Sequence, residues 1–81
     1  MKVKIKTWEQ MEKEFGLDGD GAIACTFGFI NEMEQELPED RIIVVRVVPN
    51  PDSPSTVYLC GVKELRHWWF SYDMIEEIIE E

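Results

Sequence analysis

The thiols of Cys25 and Cys60 and the imidazole of His67, the only histidine, are the side chains of this sequence best suited to nucleophilic or metal chemistry. A Cys–His pair requires the two groups within hydrogen-bond reach and a third group that orients the histidine. Cys60 belongs to the predicted strand that directly precedes His67, but no motif surrounds either cysteine. One histidine and two separated cysteines also lack the paired ligand spacing of zinc sites. The sequence therefore predicts no catalytic residue, no bound metal and no cofactor.

The segment Asp18-Gly19-Asp20-Gly21 has the composition of the start of a calcium loop. An EF-hand needs a glycine at its sixth position and an acid at its twelfth. Counted from Asp18, those positions hold Ile23 and Phe29. We therefore predict an ordinary turn. The other carboxylates fall on predicted helix faces without a cleft, so they are interpreted as solvated charge rather than acid–base groups.

The charge of the chain favours one kind of partner over others. The formal net charge is -9, and such a surface repels phosphate backbones and anionic membranes. A protein with a basic surface is the natural electrostatic partner, including one that normally holds nucleic acid, although the charge can also serve solubility alone. The acids predicted to face this partner lie on and just after the second predicted helix: Glu32, Glu34, Glu36, Glu39 and Asp40.

The length of 81 residues suits a single domain spanning residues 1–81. The first six residues alternate and form no signal peptide, and no apolar run approaches a membrane span. Without a secretion signal, the two cysteines are interpreted as reduced core thiols. The sequence thus predicts a cytoplasmic protein.

The element that organises the predicted fold is Arg41–Val48, in which six of eight residues are Ile or Val and which Pro38 and Pro49 bound. This composition is typical of a strand. Further strands are predicted at residues 2–6, 23–27, 56–62 and 67–70, with a Pro-rich hairpin loop at 49–55. Because the connections after residue 41 are too short for a parallel crossover, these strands are predicted to be antiparallel neighbours.

Three helices complete the prediction. Thr7 and Gln10 form a capping box for a helix that ends near Phe15 and is stopped by Gly16. A second helix is predicted to begin with Asn31 as its cap. A third follows Ser71 and buries a stripe of apolar residues: Met74, Ile75, Ile78 and Ile79. The expected fold is α+β, a small and strongly bent antiparallel sheet like an SH3 barrel, with two N-terminal helices and a C-terminal helix.

The aromatic residues supply the remaining candidate contacts. Trp68 and Trp69 are adjacent, so on a strand they point to opposite faces. One of them, with Tyr58 or Tyr72, is then exposed, and exposed Trp and Tyr commonly anchor protein interfaces. The alternative is that a helix covers the second face and buries both tryptophans. The predicted partner-binding aromatics are Tyr58, Trp68 and Tyr72.

Three stretches of the chain resemble a group of small uncharacterised proteins from phages and prophages of Gram-positive bacteria. They are residues 2–17, Gly28-Phe29 with Glu32-Met33, and residues 69–76. The resemblance spans most of the chain except residues 49–66, where the Pro-rich insert departs from the Gly-rich or Tyr-rich hairpin of that group. It implies an accessory viral gene with an SH3-like barrel, and it carries over no catalytic residue. Small acidic phage proteins of this sort often bind and block host machinery, anti-CRISPR proteins among them.

The leading expectation is therefore a non-enzymatic, phage-encoded protein of the host cytoplasm. It would bind and inhibit a host defence or nucleic-acid-handling protein, in the manner of an anti-CRISPR, through its acidic surface. Two alternatives stay open. One is a homo-oligomer that binds or sequesters a small nucleotide in a pocket between subunits, and the other is a virion or host-takeover accessory with a scaffolding role.

Overall fold

A computed structural model describes residues 1–53 and 57–81. Within these residues, five strands form one antiparallel sheet: β1 (Lys2–Ile5), β2 (Ile42–Pro49), β3 (Val57–Gly61), β4 (Trp69–Phe70) and β5 (Ile75–Glu80). The spatial order of the strands is β4-β3-β2-β1-β5. The α+β class and the antiparallel sheet are thus confirmed.

The two edge strands of this sheet, β4 and β5, are close neighbours in the chain. The chain takes five residue steps from Phe70 to Ile75, which span at most about 18 Å when fully extended and clearly less here, because Tyr72–Met74 form a 3-10 turn with a rise of only about 2 Å per residue. The edges of a flat five-stranded sheet would be about 19 Å apart. The sheet therefore has to curl until its two edges approach each other, and residues 71–74 cross the gap between them.

Helix α1 (Trp8–Phe15) begins as the sequence predicts. The Thr7 hydroxyl accepts a hydrogen bond from the Gln10 backbone at 3.1 Å, and the Gln10 side chain accepts one from the Thr7 backbone at 2.8 Å. Gly16 follows with a φ of 78°, a conformation in which glycine carries no steric cost. Both the capping box and the glycine stop are confirmed.

The predicted arrangement of an SH3-like barrel with two N-terminal helices and a C-terminal helix is wrong. Helix α2 (Asn31–Glu36) has only six residues, and Ile30 precedes it without a side-chain cap, so Asn31 is not the cap. The C-terminal segment forms a 3-10 turn, Tyr72–Met74, and then strand β5 instead of a helix. The physical reason is that β5 pairs with β1 along its length, and these long-range hydrogen bonds outweigh the local helical pattern.

The other predicted strands differ in extent. The strand expected at residues 23–27 is reduced to two isolated bridges, in which Ile23 pairs with Leu17 and Phe29. The strand expected at residues 67–70 contains only Trp69–Phe70, because a 3-10 turn, Lys63–Leu65, precedes it. The end of the Pro-rich loop and the expected strand start at Thr56 fall on residues 54–56, which lie outside the described residues.

The core lies inside the curl of the sheet, where one face of each strand meets α1 and α2. Its buried members are Val3, Ile5, Met11, Ile23, Phe29, Met33, Ile43, Val45, Leu59, Leu65, Phe70 and Met74. None of the helices in the described part of the chain is long and apolar enough to cross a membrane. Exposed apolar side chains lie on the opposite face of the sheet, such as Val44, and at its β4 edge, where Trp69 lies.

Candidate protein-binding site

Three aromatic rings form a continuous strip at the β4 edge of the sheet. The ring centroids of Phe27 and Tyr58 are 5.0 Å apart, and those of Tyr58 and Trp69 are 4.0 Å apart. Trp69 pairs with Cys60 across β3 and β4, and Tyr58 is two residues before Cys60, so both rings project from the same face. We call Phe27, Tyr58 and Trp69 the aromatic strip. Trp69 is 49% exposed, so the strip ends in solvent.

An open groove of about 560 Å³ runs beside the aromatic strip. All three rings of the strip line it, together with Trp68 and His67. The remaining lining comes from the segment that leads into α2: Gly28, Ile30 and Met33. We call this depression the aromatic groove. Its size falls in the range of sites that receive a ligand or a partner side chain.

Glu36, at the end of α2, connects this helix to the aromatic groove. Its carboxylate atom Oε2 accepts a hydrogen bond from the Trp68 indole Nε1 and lies 3.4 Å from His67 Nε2. The rings of His67 and Trp68 are themselves in contact, with centroids 4.6 Å apart. Both contacts of Glu36 use Oε2, and Oε1 has no partner within the described residues. Glu36 is therefore held against two residues of the groove, while it lines a separate depression together with Pro38, Ile42 and Lys63.

Asp73 holds the loop that carries Phe27. Its Oδ2 atom accepts hydrogen bonds from the Thr26 backbone at 2.9 Å and from the Thr26 hydroxyl at 2.8 Å. Its Oδ1 atom accepts one from the Ser71 hydroxyl. Burial alone would raise the pKa of the Asp73 carboxyl, but the bonds from Ser71 and Thr26 outweigh burial and lower this pKa below its ordinary value.

We expect Asp73→Asn to destabilise the protein by about 1–2 kcal/mol at pH 7, because an amide offers one acceptor oxygen where two are used. The folded-state pKa is depressed, so the stabilising contribution of Asp73 is present above the ordinary pKa of about 3.9 and is lost as the pH falls through the folded value. Urea unfolding of wild type and variant should therefore give free energies that converge between pH 5 and pH 2.

The control for this prediction is Asp20→Asn, which removes the same charge from an exposed turn. It should leave the free energy of unfolding unchanged within about 0.5 kcal/mol. A constant difference between wild type and Asp73→Asn across the acidic range would contradict the assigned role of the ionised carboxylate.

A second groove, of about 700 Å³, lies on the other side of Phe27. Tyr72, which is 47% exposed, and Asp73 line it together with Val57. Because Phe27 borders both grooves, its position determines the shape of each. Tyr72 therefore neighbours the aromatic strip without belonging to it.

The five acids predicted to meet a partner do not form a single patch. Glu34 is paired with Arg41, whose Nη2 donates to its Oε1 at 2.9 Å. Asp40 Oδ1 accepts from the Ile42 backbone at 3.0 Å. Within the described residues, Glu32 and Glu39 have neither an ion pair nor a side-chain hydrogen bond. Of the five, only Glu36 contacts residues that line the aromatic groove, Trp68 and His67, and none of the five lines the groove itself.

The predicted aromatics lie closer together than the acids. Tyr58 and Trp68 both line the aromatic groove. Trp68 is partly buried against the core, so Trp69 is the more exposed of the pair. Phe27 and Trp69 also line the groove, although the sequence interpretation does not select them. The adjacency of the two tryptophans contains the signal for Trp69, whereas nothing local identifies Phe27.

The thiols are placed for packing rather than for chemistry. Cys60 is buried, and its Sγ atom lies 3.5 Å from the Arg66 carbonyl oxygen as a weak donor. Burial, and secondly the charge of Asp73, raises the pKa of the Cys25 thiol, which opposes formation of a nucleophilic thiolate. Among residues 1–53 and 57–81, no cluster of three or more His, Cys, Asp or Glu side chains is arranged to hold a metal ion.

Comparison of the chain with protein families, with curated proteins and with solved structures finds no match to any of them. Function must therefore be argued from the site itself.

Proposed function

We propose that this chain is a non-enzymatic domain that binds a protein with a basic surface, with the aromatic groove as the centre of the contact. The observation that carries this proposal is the half-exposed Trp69, which packs against Tyr58 and lines an open groove. An exposed tryptophan beside an open groove is costly in water unless a partner covers it.

The aromatic strip is suited to anchor an interface. Trp69 packs against Tyr58, and Tyr58 packs against Phe27, so the rotation of Trp69 is restricted before a partner arrives. A preordered anchor loses little conformational entropy on binding, so more of its contact energy appears as affinity. Tryptophan and tyrosine are also the residues at which interface truncations cost most.

The charge of the chain supports a basic partner. With a net charge of -9, the domain attracts a basic protein from a distance and repels nucleic acid. Glu32 and Glu39 are exposed and lack partners within the described residues, so their full charge adds to this attraction. Exposed charges of this kind mainly raise the association rate and make it sensitive to salt.

As the biological role, we propose inhibition of a host defence or nucleic-acid-handling protein by a phage-encoded binder, comparable to an anti-CRISPR. A protein that handles nucleic acid presents a basic surface, which an acidic domain of this size can cover. The resemblance of residues 2–17 and 69–76 to small phage proteins supports the same role. The domain would then act in the cytoplasm of the host cell.

We expect the paired substitution Tyr58→Ala and Trp69→Ala to weaken partner binding at least 30-fold, because it removes two stacked anchors from one interface. The test is capture of host proteins by immobilised wild type at low salt, followed by affinity measurement with the recovered partner. Raising the ionic strength should lower the affinity of the wild type.

The matched control is Ile79→Ala, which truncates an equally accessible apolar side chain, 41% exposed, on β5. Circular dichroism and urea unfolding establish that both variants are folded. Equal binding by wild type and the Tyr58/Trp69 variant, or recovery of no partner at low salt, would contradict the proposal.

A further inference from the structure

The second groove, which Phe27 separates from the aromatic groove, is lined by the carboxylate of Asp73. Burial would raise the pKa of this carboxyl, but the hydrogen bonds from Ser71 and Thr26 outweigh it, so the pKa is lowered and Asp73 is charged at pH 7. All three bonds come from uncharged groups. Within the described residues, Asp73 has no ion pair, and no lysine or arginine lines the groove. The described part of the chain therefore leaves the charge of Asp73 without a cation.

The acceptor atoms beside this charge are not all used. An ionised carboxylate can only accept hydrogen bonds, so the hydroxyl hydrogen of Thr26 is directed at Asp73. The Thr26 oxygen keeps lone pairs for another donor, and Thr26 is an exposed residue that lines the groove. Oδ2 of Asp73 already accepts two hydrogen bonds, whereas Oδ1 accepts one. The groove thus combines a negative charge with acceptor atoms at Oδ1 and at the Thr26 hydroxyl.

We infer that the second groove receives a lysine side chain of the partner, an inference that rests on the proposed function. The ammonium group of this lysine donates hydrogen bonds to Oδ1 of Asp73 and to the Thr26 hydroxyl oxygen. Its methylene stem lies along Val57 and the rings of Phe27 and Tyr72, which line the same groove. Because Phe27 borders both grooves, a partner that covers the aromatic strip places its neighbouring residues at this site.

Lysine fits this site better than arginine. The advantage of arginine at a carboxylate is a fork of two parallel hydrogen bonds, one to each oxygen. Both lone pairs of Asp73 Oδ2 are occupied by Thr26, so the fork cannot form. An ammonium group is a compact charge with three donors that can use single acceptors in different directions. The half-exposed ring of Tyr72 adds a cation–π attraction.

The experiment uses the full chain labelled with ¹⁵N and three end-blocked pentapeptides that differ only at the central residue: Gly-Ser-Lys-Ser-Gly, its arginine counterpart and its Nε-acetyl-lysine counterpart. The backbone N–H signal of Thr26 reports on the site, because this group donates to Asp73 Oδ2 at 2.9 Å. The indole N–H signal of Trp8 is the reference for unspecific ion pairing. It donates to the exposed carboxylate of Glu12 at 3.1 Å, and neither residue lines the groove.

We expect the lysine peptide to shift the Thr26 signal while the Trp8 signal stays in place. The arginine peptide should bind several-fold more weakly. The uncharged acetyl-lysine peptide should bind at least tenfold more weakly, the loss of one charge-assisted hydrogen bond. The inference is overturned if lysine and acetyl-lysine bind equally, if arginine binds as tightly as lysine, or if Trp8 responds with the same affinity as Thr26.

Asp73→Asn tests the role of the charge and should weaken binding of the lysine peptide at least tenfold. Because this substitution also loosens the loop of Thr26, Tyr72→Leu serves as a second variant that leaves Asp73 and its bonds in place. It removes the ring face and should weaken binding several-fold. Asp52→Asn is the matched control: it removes the same charge from an exposed position in the neighbouring turn at residues 50–53 and should change the affinity less than twofold.

Equal effects of Asp73→Asn and Asp52→Asn would show a general charge effect and overturn the assignment, as would unchanged binding by Tyr72→Leu. The two proposals fail in different ways. If the captured partner loses affinity with the Tyr58/Trp69 variant but binds Asp73→Asn and Tyr72→Leu as well as wild type, the docking site stands and the lysine assignment falls. If the partner binds the Tyr58/Trp69 variant normally, the docking site itself is wrong.

Discussion

Gly61→Ala is expected to lower the free energy of unfolding by about 3 kcal/mol or more. A Cβ atom on Gly61 would lie 2.3 Å from the Leu65 carbonyl oxygen and 2.7 Å from the Leu65 Cβ. The Leu65 backbone cannot retreat cheaply, because its N–H donates to Val62 and its carbonyl accepts from Trp68. Overpacking against backbone costs at least as much as overpacking in a core. For a domain of this size, the loss is a large share of the total stability.

Urea unfolding followed by tryptophan fluorescence measures this loss. Gly19→Ala is the matched control, since a Cβ there meets nothing within 4 Å, and it should stay within about 0.5 kcal/mol of wild type or slightly above it. The Trp68 indole signal should also move in the folded fraction of Gly61→Ala, because the Gly61 N–H donates to the Trp68 carbonyl at 3.2 Å. Coincident unfolding curves for the two alanine variants would contradict the prediction, because they would show that the Lys63–Leu65 turn can move away from the added Cβ without a loss of stability.

The close approach at Gly61 cannot be recognised in the sequence. The sequence predicts a turn between the strands expected at residues 56–62 and 67–70. It contains no sign that this turn folds back under β3. The backbone of Gly61 must accommodate a 3-10 turn, Lys63–Leu65, four residues or fewer away. That turn directs His67 and Trp68 toward α2, where they meet Glu36. The positions of His67 and Trp68 in the groove therefore depend on a backbone contact that cannot be recognised from residue types.

In the C-terminal strand β5, the spacing of apolar residues along the chain predicts a helix that does not form. Ile75 and Ile78 are three residues apart, a spacing that suits one face of a helix. The paired residues of β1 and β5 are Ile5 with Ile75, Lys4 with Glu77, Val3 with Ile78, and Lys2 with Glu80. The register shifts twice, and each shift places one extra residue in β5. A spacing of three in β5 thus matches the spacing of two in β1, and only the pairing with a distant strand makes this visible.

The same pairing explains why β5 is tolerable at a sheet edge. Glu77 and Glu80 lie opposite Lys4 and Lys2 of β1, which favours this register over others. Bulges and charged side chains also discourage a further strand from adding to an exposed edge. The acids of the C-terminal segment, which the sequence interpretation assigns to a helix, therefore help to protect the edge of the sheet in the observed strand.

The residues of the site that could be predicted from the sequence are the aromatic residues of the predicted strands. Tyr58 and Trp68 follow from aromatic residues on adjacent strands, and both line the groove. Phe27 could not be placed, because the loop that carries it is held by Asp73 from the far end of the chain. Among the acids, Glu34 and Glu36 have similar surroundings in the sequence, and only the structure shows that Glu34 pairs with Arg41 while Glu36 contacts Trp68.

Arg41→Met is expected to destabilise the protein by about 2–3 kcal/mol, because Arg41 donates to three different groups that have been largely withdrawn from water. Its Nε donates to the Ile5 carbonyl at 3.2 Å and its Nη2 to the Lys6 carbonyl at 2.6 Å. The same guanidinium holds Glu34 in a two-point contact, and the Arg41 side chain is only 14% exposed. Arg41 thereby connects the end of β1, α2 and the start of β2.

Methionine keeps the apolar stem of Arg41 and leaves all three acceptors without their donor. Lysine should restore at most part of the loss, because one ammonium group cannot reach the same acceptors in the geometry of a planar fork. Arg46→Met is the control: it removes the same charge from an exposed position on β2 and should cost less than about 0.5 kcal/mol. Urea unfolding at pH 7 distinguishes the cases, and full recovery with lysine would mean that charge alone, rather than the three-way contact, holds these elements together.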